Sequence, residues 1–290
     1  MITEPNVKIR CRQIGERDLD AVAALLVRGF PNRSRAYWKQ GLERQGSRSL
    51  PADLPRYGYL LEADCEPVGV ILVLYTPVDE SGVYRCNLSS WYVTPPFRGY
   101  APLLTRMALK RKEVTYLNIS PAPHTWSTVE AQGFVPYCNG QFFSIPALTP
   151  GGSAMRVEAW DAAIATHATI AENELMSAHR QFGCLTAVCA DPEGIYPFVF
   201  QPLRMRQGRF PLPGMRLIYC RSIAEFIHCA GPIGRFLLKR GYPSVVLDAN
   251  GAIPGLVGAY IRARGRKYFR GPSQPRLGDL AYTELAFFGP

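Results

Sequence analysis

One stretch limits this chain more than any other: Leu88-Ser89-Ser90-Trp91-Tyr92-Val93, then Thr94-Pro95-Pro96-Phe97-Arg98-Gly99-Tyr100-Ala101, then apolar residues at helical spacing from Pro102. The first segment predicts a strand, the second a turn, and Leu103, Leu104, Met107 and Ala108 an amphipathic helix. Simple alternation sets Asn87, Ser89 and Trp91 on one strand face and Leu88, Ser90 and Tyr92 on the other. A strand passing through a tight turn into a helix aims backbone N–H groups and the helix's positive end at one place. With Arg98 in the turn, the expected occupant is an anion, best a diphosphate.

The neighbouring segments complete a mixed α/β pattern. Val7 to Arg12 reads as an opening strand, and Leu19, Val22, Ala23, Leu25, Leu26 and Phe30 as a helix with Glu16 and Asp18 at its entry. Tyr57 to Glu62 and Pro67 to Tyr75 form a hairpin about Ala63-Asp64-Cys65-Glu66. After the helix from Pro102, Val114 to Ile119 is a strand parallel to the one before it, because a helix-length crossover joins them. Trp126 to Gln132 reads as a short helix stopped by Gly133.

These residues resemble the GNAT superfamily, the acyl-CoA-dependent N-acyltransferases. The likeness rests on Val93-x-Pro95-x-x-Arg98-Gly99-x-Ala101, on Ile9-Arg10 with an acidic entry to the first helix, on Val68-Gly69 before an apolar strand, and on Gly133-Phe134 after a short helix. It covers about the first 148 residues. It implies that Arg98 and the main chain of Gly99, Tyr100, Ala101 and Leu103 hold the diphosphate of acetyl-CoA or another acyl-CoA, with the Tyr92 and Val93 backbone beside the pantetheine arm. It also implies an amine acceptor, a small molecule or a peptide, near Tyr37 and Trp38. The family's usual acid Tyr falls at Val129, and no carboxylate stands on the central strand, so the candidates for proton transfer are Ser90, His124 and Tyr137. That departure keeps open a non-catalytic binding or regulatory protein of the same fold.

Length supports two domains: 290 residues exceed one ordinary core. Thr149-Pro150-Gly151-Gly152-Ser153 is turn chemistry, which predicts domains at 1–148 and 154–290. In the second half, helices are expected over Val157 to Arg180 and Ser222 to Lys239, with strands at Cys184 to Ala190, Tyr196 to Arg206, Met215 to Cys220 and Val245 to Asp248. Arg106 to Asn118 aligns with Arg235 to Asp248 with one insertion, the mark of a tandem arrangement with a degenerate second copy. That copy has Cys229-Ala-Gly-Pro-Ile-Gly234 where an Arg-Gly turn is expected, and so is expected to bind CoA poorly.

Composition bounds the remaining classes. With 47% hydrophobic and 19% charged residues the chain reads as a folded soluble protein, with no apolar run of membrane length. No secretory h-region opens it, so a cytoplasmic location is expected. The eight cysteines lie scattered in apolar runs, as buried thiols do, and no zinc spacing or Gly-x-Ser-x-Gly elbow occurs. The net charge of +10 admits nucleic acid as a lesser reading, through Arg204, Arg206, Arg209, Arg216 and the Arg262 to Arg270 run with Tyr268 and Phe269 interleaved. Acceptor identity, acyl length and oligomeric state are not legible.

Overall fold

A computed structural model describes residues 7–78, 82–151, 155–161, 168–207 and 210–289. The chain divides into two compact units, Met1–Ile119 with Phe269–Gln274, and Ser120–Tyr268 with Pro275–Pro290. The division falls before the Pro/Gly stretch, whose residues 152 and 153 lie outside the described residues. The strand following Gly133 hydrogen-bonds to a strand of the C-terminal half, which keeps it with the second unit.

The first unit contains β1 (Ile9–Gln13), α1 (Leu19–Gly29), α2 (Arg35–Gly46), β2 (Gly58–Ala63), β3 (Glu66–Pro77), β4 (Tyr84–Val93), α3 (Ala101–Ala108) and β5 (Thr115–Asn118). Its strands lie in sequence order. β1 to β4 are antiparallel to one another, and the crossover through α3 sets β5 parallel to β4. β2 is buried along its whole length and β3 nearly so, which is why both read as continuous apolar runs. Arg12 joins β1 to β2 and to the entry of α1, with Nη1 2.6 Å from Asp18 and Nη2 2.6 Å from Glu62. Gln45 on α2 donates to the carbonyls of Arg56 and Val73, tying that helix to the β3 backbone.

The second unit contains α4 (Trp126–Ala131), β6 (Val135–Ser144), β7 (Arg156–Ala159), α5 (Ile170–Gln181), β8 (Leu185–Asp191), β9 (Gly194–Gln207), β10 (Phe210–Tyr219), α6 (Ile223–Leu238), β11 (Ser244–Ala249), β12 (Gly258–Arg270) and α7 (Glu284–Phe287). Strands β7 to β11 have the order and directions of β1 to β5: three antiparallel pairings, a helical crossover, and a parallel pairing of three residues. α6 and β11 occupy the places of α3 and β5, where the Arg235 to Asp248 segment was expected. The core gathers Phe198, Phe200, Phe226, Ile233, Leu217, Val245 and Leu247.

Three expectations about secondary structure differ from the structure. Val157 lies in β7, where Glu158 pairs with Val188, so the helix starts only at Ile170; residues 162–167 lie outside the described residues. Thr169 is its N-cap, in a capping box with Glu172. The Arg262 to Arg270 run belongs to β12, a strand that sequence reasoning missed because cations and glycines hid its alternation. And β4 does not alternate to its end, as shown below.

Candidate active site

β4 and β5 pair through Arg85 with Thr115, Cys86 with Tyr116, and Asn87 with Leu117, and then part. Past Asn87 no backbone hydrogen bond joins the two strands among the described residues, so the β4 edge from Leu88 to Val93 has free pairing positions on that side. An edge of this kind can accept an extended amide-bearing chain in place of a strand.

The parting coincides with a bulge. On β3, Val70 faces Tyr92 and Leu72 faces Ser89, so three steps on β4 match two on β3. Ser90 carries the irregularity at φ 52°, a left-handed conformation that costs a non-glycine residue about 1 kcal/mol or more. This corrects the alternation expected from sequence. Behind the bulge, Tyr92 packs beside Gly29 of α1, where an added Cβ would overlap its ring. The Ser89 and Ser90 hydroxyls lie 2.9 Å apart. Burial raises the neighbouring Cys86 thiol well above its ordinary pKa, so it is no nucleophile at neutral pH.

The turn is more helical than an open anion cradle. Pro95–Tyr100 is a 3₁₀ helix that runs into α3, with Phe97 N–H donating to the Thr94 carbonyl and Ala101 N–H to the Arg98 carbonyl. Ala101 therefore spends inside the turn the donor expected for a ligand, a correction that follows from two prolines presetting helical φ. Three features favour a ligand here nonetheless. Arg98 is exposed and its guanidinium has no hydrogen-bond or ion-pair partner among the described residues. A Cβ built on Gly99 would meet nothing within 4 Å, and Gly99 is not in the left-handed region, so nothing in the fold requires glycine there. Thr94 Oγ1 and Trp91 Nε1 are buried polar atoms without partners among the described residues, on either side of Tyr92 and Val93. Tyr100 and Leu103 are exposed beside Arg98.

The remaining candidates lie apart from this group in the chain's organisation. Ser90 and the turn belong to the first unit; His124 and Tyr137 belong to the second. His124 is exposed in a 3₁₀ turn, Pro123–Thr125. Tyr137 is only 3% exposed, and its carbonyl accepts from Asn250 Nδ2 at 2.9 Å. Val129 is buried at 2%, its carbonyl accepting from Phe134 N–H. Trp38 is buried against Phe30, with ring centroids 5.5 Å apart, whereas Tyr37 is half-buried under the Arg33 guanidinium at 4.5 Å.

The second unit has a comparable parting. β10 and β11 pair from Gly214 with Ser244 to Arg216 with Val246, and β10 shows a register shift between Leu217 and Tyr219. Here the chain itself fills the edge: Leu280 N–H donates to the Ile218 carbonyl at 2.8 Å, Cys220 N–H donates to the Gly278 carbonyl at 2.9 Å, and Tyr219 bridges Asp279. This returning segment was not read from sequence, and no local pattern marks it.

Comparison with solved structures matches this geometry. The chain is similar to GCN5-related N-acetyltransferases from Anabaena variabilis, at TM-score 0.60 and 9% identity over 91% of this chain and 72% of that one, and from Kribbella flavida, at 0.57 and 14% over 91% and 71%. A candidate acetyltransferase from Pyrococcus horikoshii aligns over 97% of this chain and 96% of its own at TM-score 0.55 and 12% identity. The fold is that of the GCN5-related N-acetyltransferases. No family model matches the sequence, and a search of curated proteins finds no match. No described helix is long and apolar enough to cross a membrane.

The lesser nucleic-acid reading loses its footing here. Lys267 is buried against Asp248 at 2.7 Å, Tyr268 is fully buried with its hydroxyl on Glu130 at 2.8 Å, and Arg264 and Arg266 lie over Phe143 and Trp126. Base stacking on Tyr268 is thus precluded. Arg209 and the side chains of Arg204 and Arg206 lie outside the described residues.

Proposed function

We propose that this protein is an acyl-CoA-dependent N-acyltransferase, with acetyl-CoA as the simplest donor and a small-molecule or peptide amine as acceptor. The observation that carries the reading is the parting of β4 and β5 at Asn87 and Leu117, with Arg98 unpartnered among the described residues. The exposed β4 edge at Tyr92 and Val93 would pair with the pantetheine amides, and Arg98 would supply a charge-assisted contact to the diphosphate. The residues fit such a donor, with fewer main-chain N–H groups than an open loop provides, so modest affinity is expected. In a ternary complex the amine nitrogen attacks the thioester carbonyl, the new C–N bond replaces the C–S bond, and the thiolate leaves with a proton. With no carboxylate on β4, proton removal falls to water held by the Ser89 and Ser90 hydroxyls, His124 and Tyr137 being the other candidates. We further read the chain as two GNAT-like halves, with sequence domains near 1–148 and 154–290; the Gly278 to Leu280 segment occupies the second half's equivalent of the donor edge.

The reading is tested by thermal shift with millimolar acetyl-CoA and by thiol release over an amine panel. Ligand linkage predicts a rise in Tm, and an unchanged Tm would refute it. Val129, buried where an acid is expected, favours a second reading: a protein that binds acyl-CoA but transfers nothing. A Tm rise without thiol release selects that reading.

A further inference from the structure

The second unit holds a polar cavity lined by none of the residues named above for acyl transfer. Where the pairing of β6 with β11 stops, Asn139 N–H donates to Asn250 Oδ1 at 2.7 Å, and these two residues with Tyr260, Arg262 and Arg266 line a space of about 320 Å³. That is the lower end of the range for small-molecule sites. β12 is bent beside it by left-handed residues at Ala263 (φ 62°) and Gly265 (φ 64°).

The charges around this space do not balance. Lys267 and Asp248 neutralise each other next to it at 2.7 Å. Arg262 is exposed and has no hydrogen-bond or ion-pair partner among the described residues. Arg266 is held in place by its stack on Trp126 at 4.5 Å and by Nη1 on the Tyr268 hydroxyl at 3.3 Å, while Glu130 stands 3.8 Å away. Its Nε is buried without a partner among the described residues, as is Nε of Arg216, a half-buried cation in the field of Asp248 and Arg264. A guanidinium held in place on the lining, a second one without a partner among the described residues, and a surplus of positive charge form a receptor for a compact dianion.

We propose that this cavity binds a phosphoryl group on a small metabolite, with Arg262 and Arg266 as its two guanidinium contacts. The site goes beyond the acyl-transfer reading, since the Arg98 turn belongs to the first unit.

Calorimetry with inorganic pyrophosphate at fixed ionic strength tests it, on the full chain carrying Arg98→Ala so that the turn contributes nothing. Binding at one site is expected, weakened about tenfold or more by adding Arg262→Ala and in part restored by Arg262→Lys. Arg262 touches no partner among the described residues, so an unchanged Tm is expected to show that the variant folds. Absence of binding in the Arg98→Ala protein, or equal affinity with and without Arg262, overturns the proposal. Tighter binding of citrate than of pyrophosphate overturns the phosphoryl assignment. Acetyl-CoA affinity of the single Arg262→Ala variant is expected to match wild type, which separates failure here from failure of the transferase reading.

Discussion

Asn87 and Leu117 are the last residues at which β4 and β5 face one another, and Ser90, three positions on, is where β4 leaves regular geometry. Together they leave a strand edge unpaired by β5 beyond Asn87, close in sequence to an arginine without a counterion among the described residues. Each residue that holds this arrangement is open to test.

Arg98→Ala is expected to weaken acetyl-CoA binding about five- to tenfold, the loss of one charge-assisted contact at an exposed site. Because the side chain has no partner among the described residues, Tm without ligand should not change. Gly99→Leu should act likewise: its Cβ meets nothing within 4 Å, so folding tolerates it, but a ligand laid across the turn does not. Isothermal titration and unliganded melting distinguish binding loss from misfolding, and a fall in unliganded Tm would contradict the geometry.

Ser90→Gly is expected to raise stability by about 1 kcal/mol, since glycine enters the left-handed region without strain. Ser90→Val, branched at Cβ, should lower it by a similar or larger amount. Urea unfolding of both variants provides the check. Stabilisation by Val would show that the residue is not left-handed in solution.

Lys267→Met leaves the Asp248 carboxylate buried without its cation, and a cost of about 3–5 kcal/mol is expected. The double change Lys267→Met with Asp248→Leu should recover much of it, because no charge is then stranded. A double-mutant cycle in urea measures the coupling. Equal stability of the single and double variants would argue against a buried pair.

Asp18 accepts two hydrogen bonds from Arg12, which hold its carboxyl below the usual carboxylate range. A depressed folded pKa means that the stabilisation is complete above the unfolded pKa, about 4. It is lost as pH falls through the folded value. Tm should therefore drop more steeply below about pH 4 in wild type than in Asp18→Asn. Parallel melting curves from pH 5 to 2 would contradict the assignment.

The order of strands and helices was legible because it rests on local chemistry. Apolar runs mark β2 and β3, Ser222 caps α6 through the Glu225 N–H, and Gly133 closes α4 at φ 83°. The strand, turn and helix about Arg98 needed only their own residues to be recognised, as did the GNAT resemblance. β7 and β12 were lost because a short exposed strand and a cationic one carry little apolar alternation.

What tertiary structure alone decided are features whose partners lie far off in sequence. The bulge at Ser90 exists because β3 offers one residue fewer than β4 across the same span. The free edge exists because β5 departs after Leu117, and its counterpart on β10 is filled because a segment some 60 residues later returns to it. Lys267 is a buried ion rather than part of a basic surface because Asp248 meets it from the neighbourhood of β6. Local propensity sets what a segment becomes, whereas register and long-range pairing set which backbone groups and charges remain for a ligand.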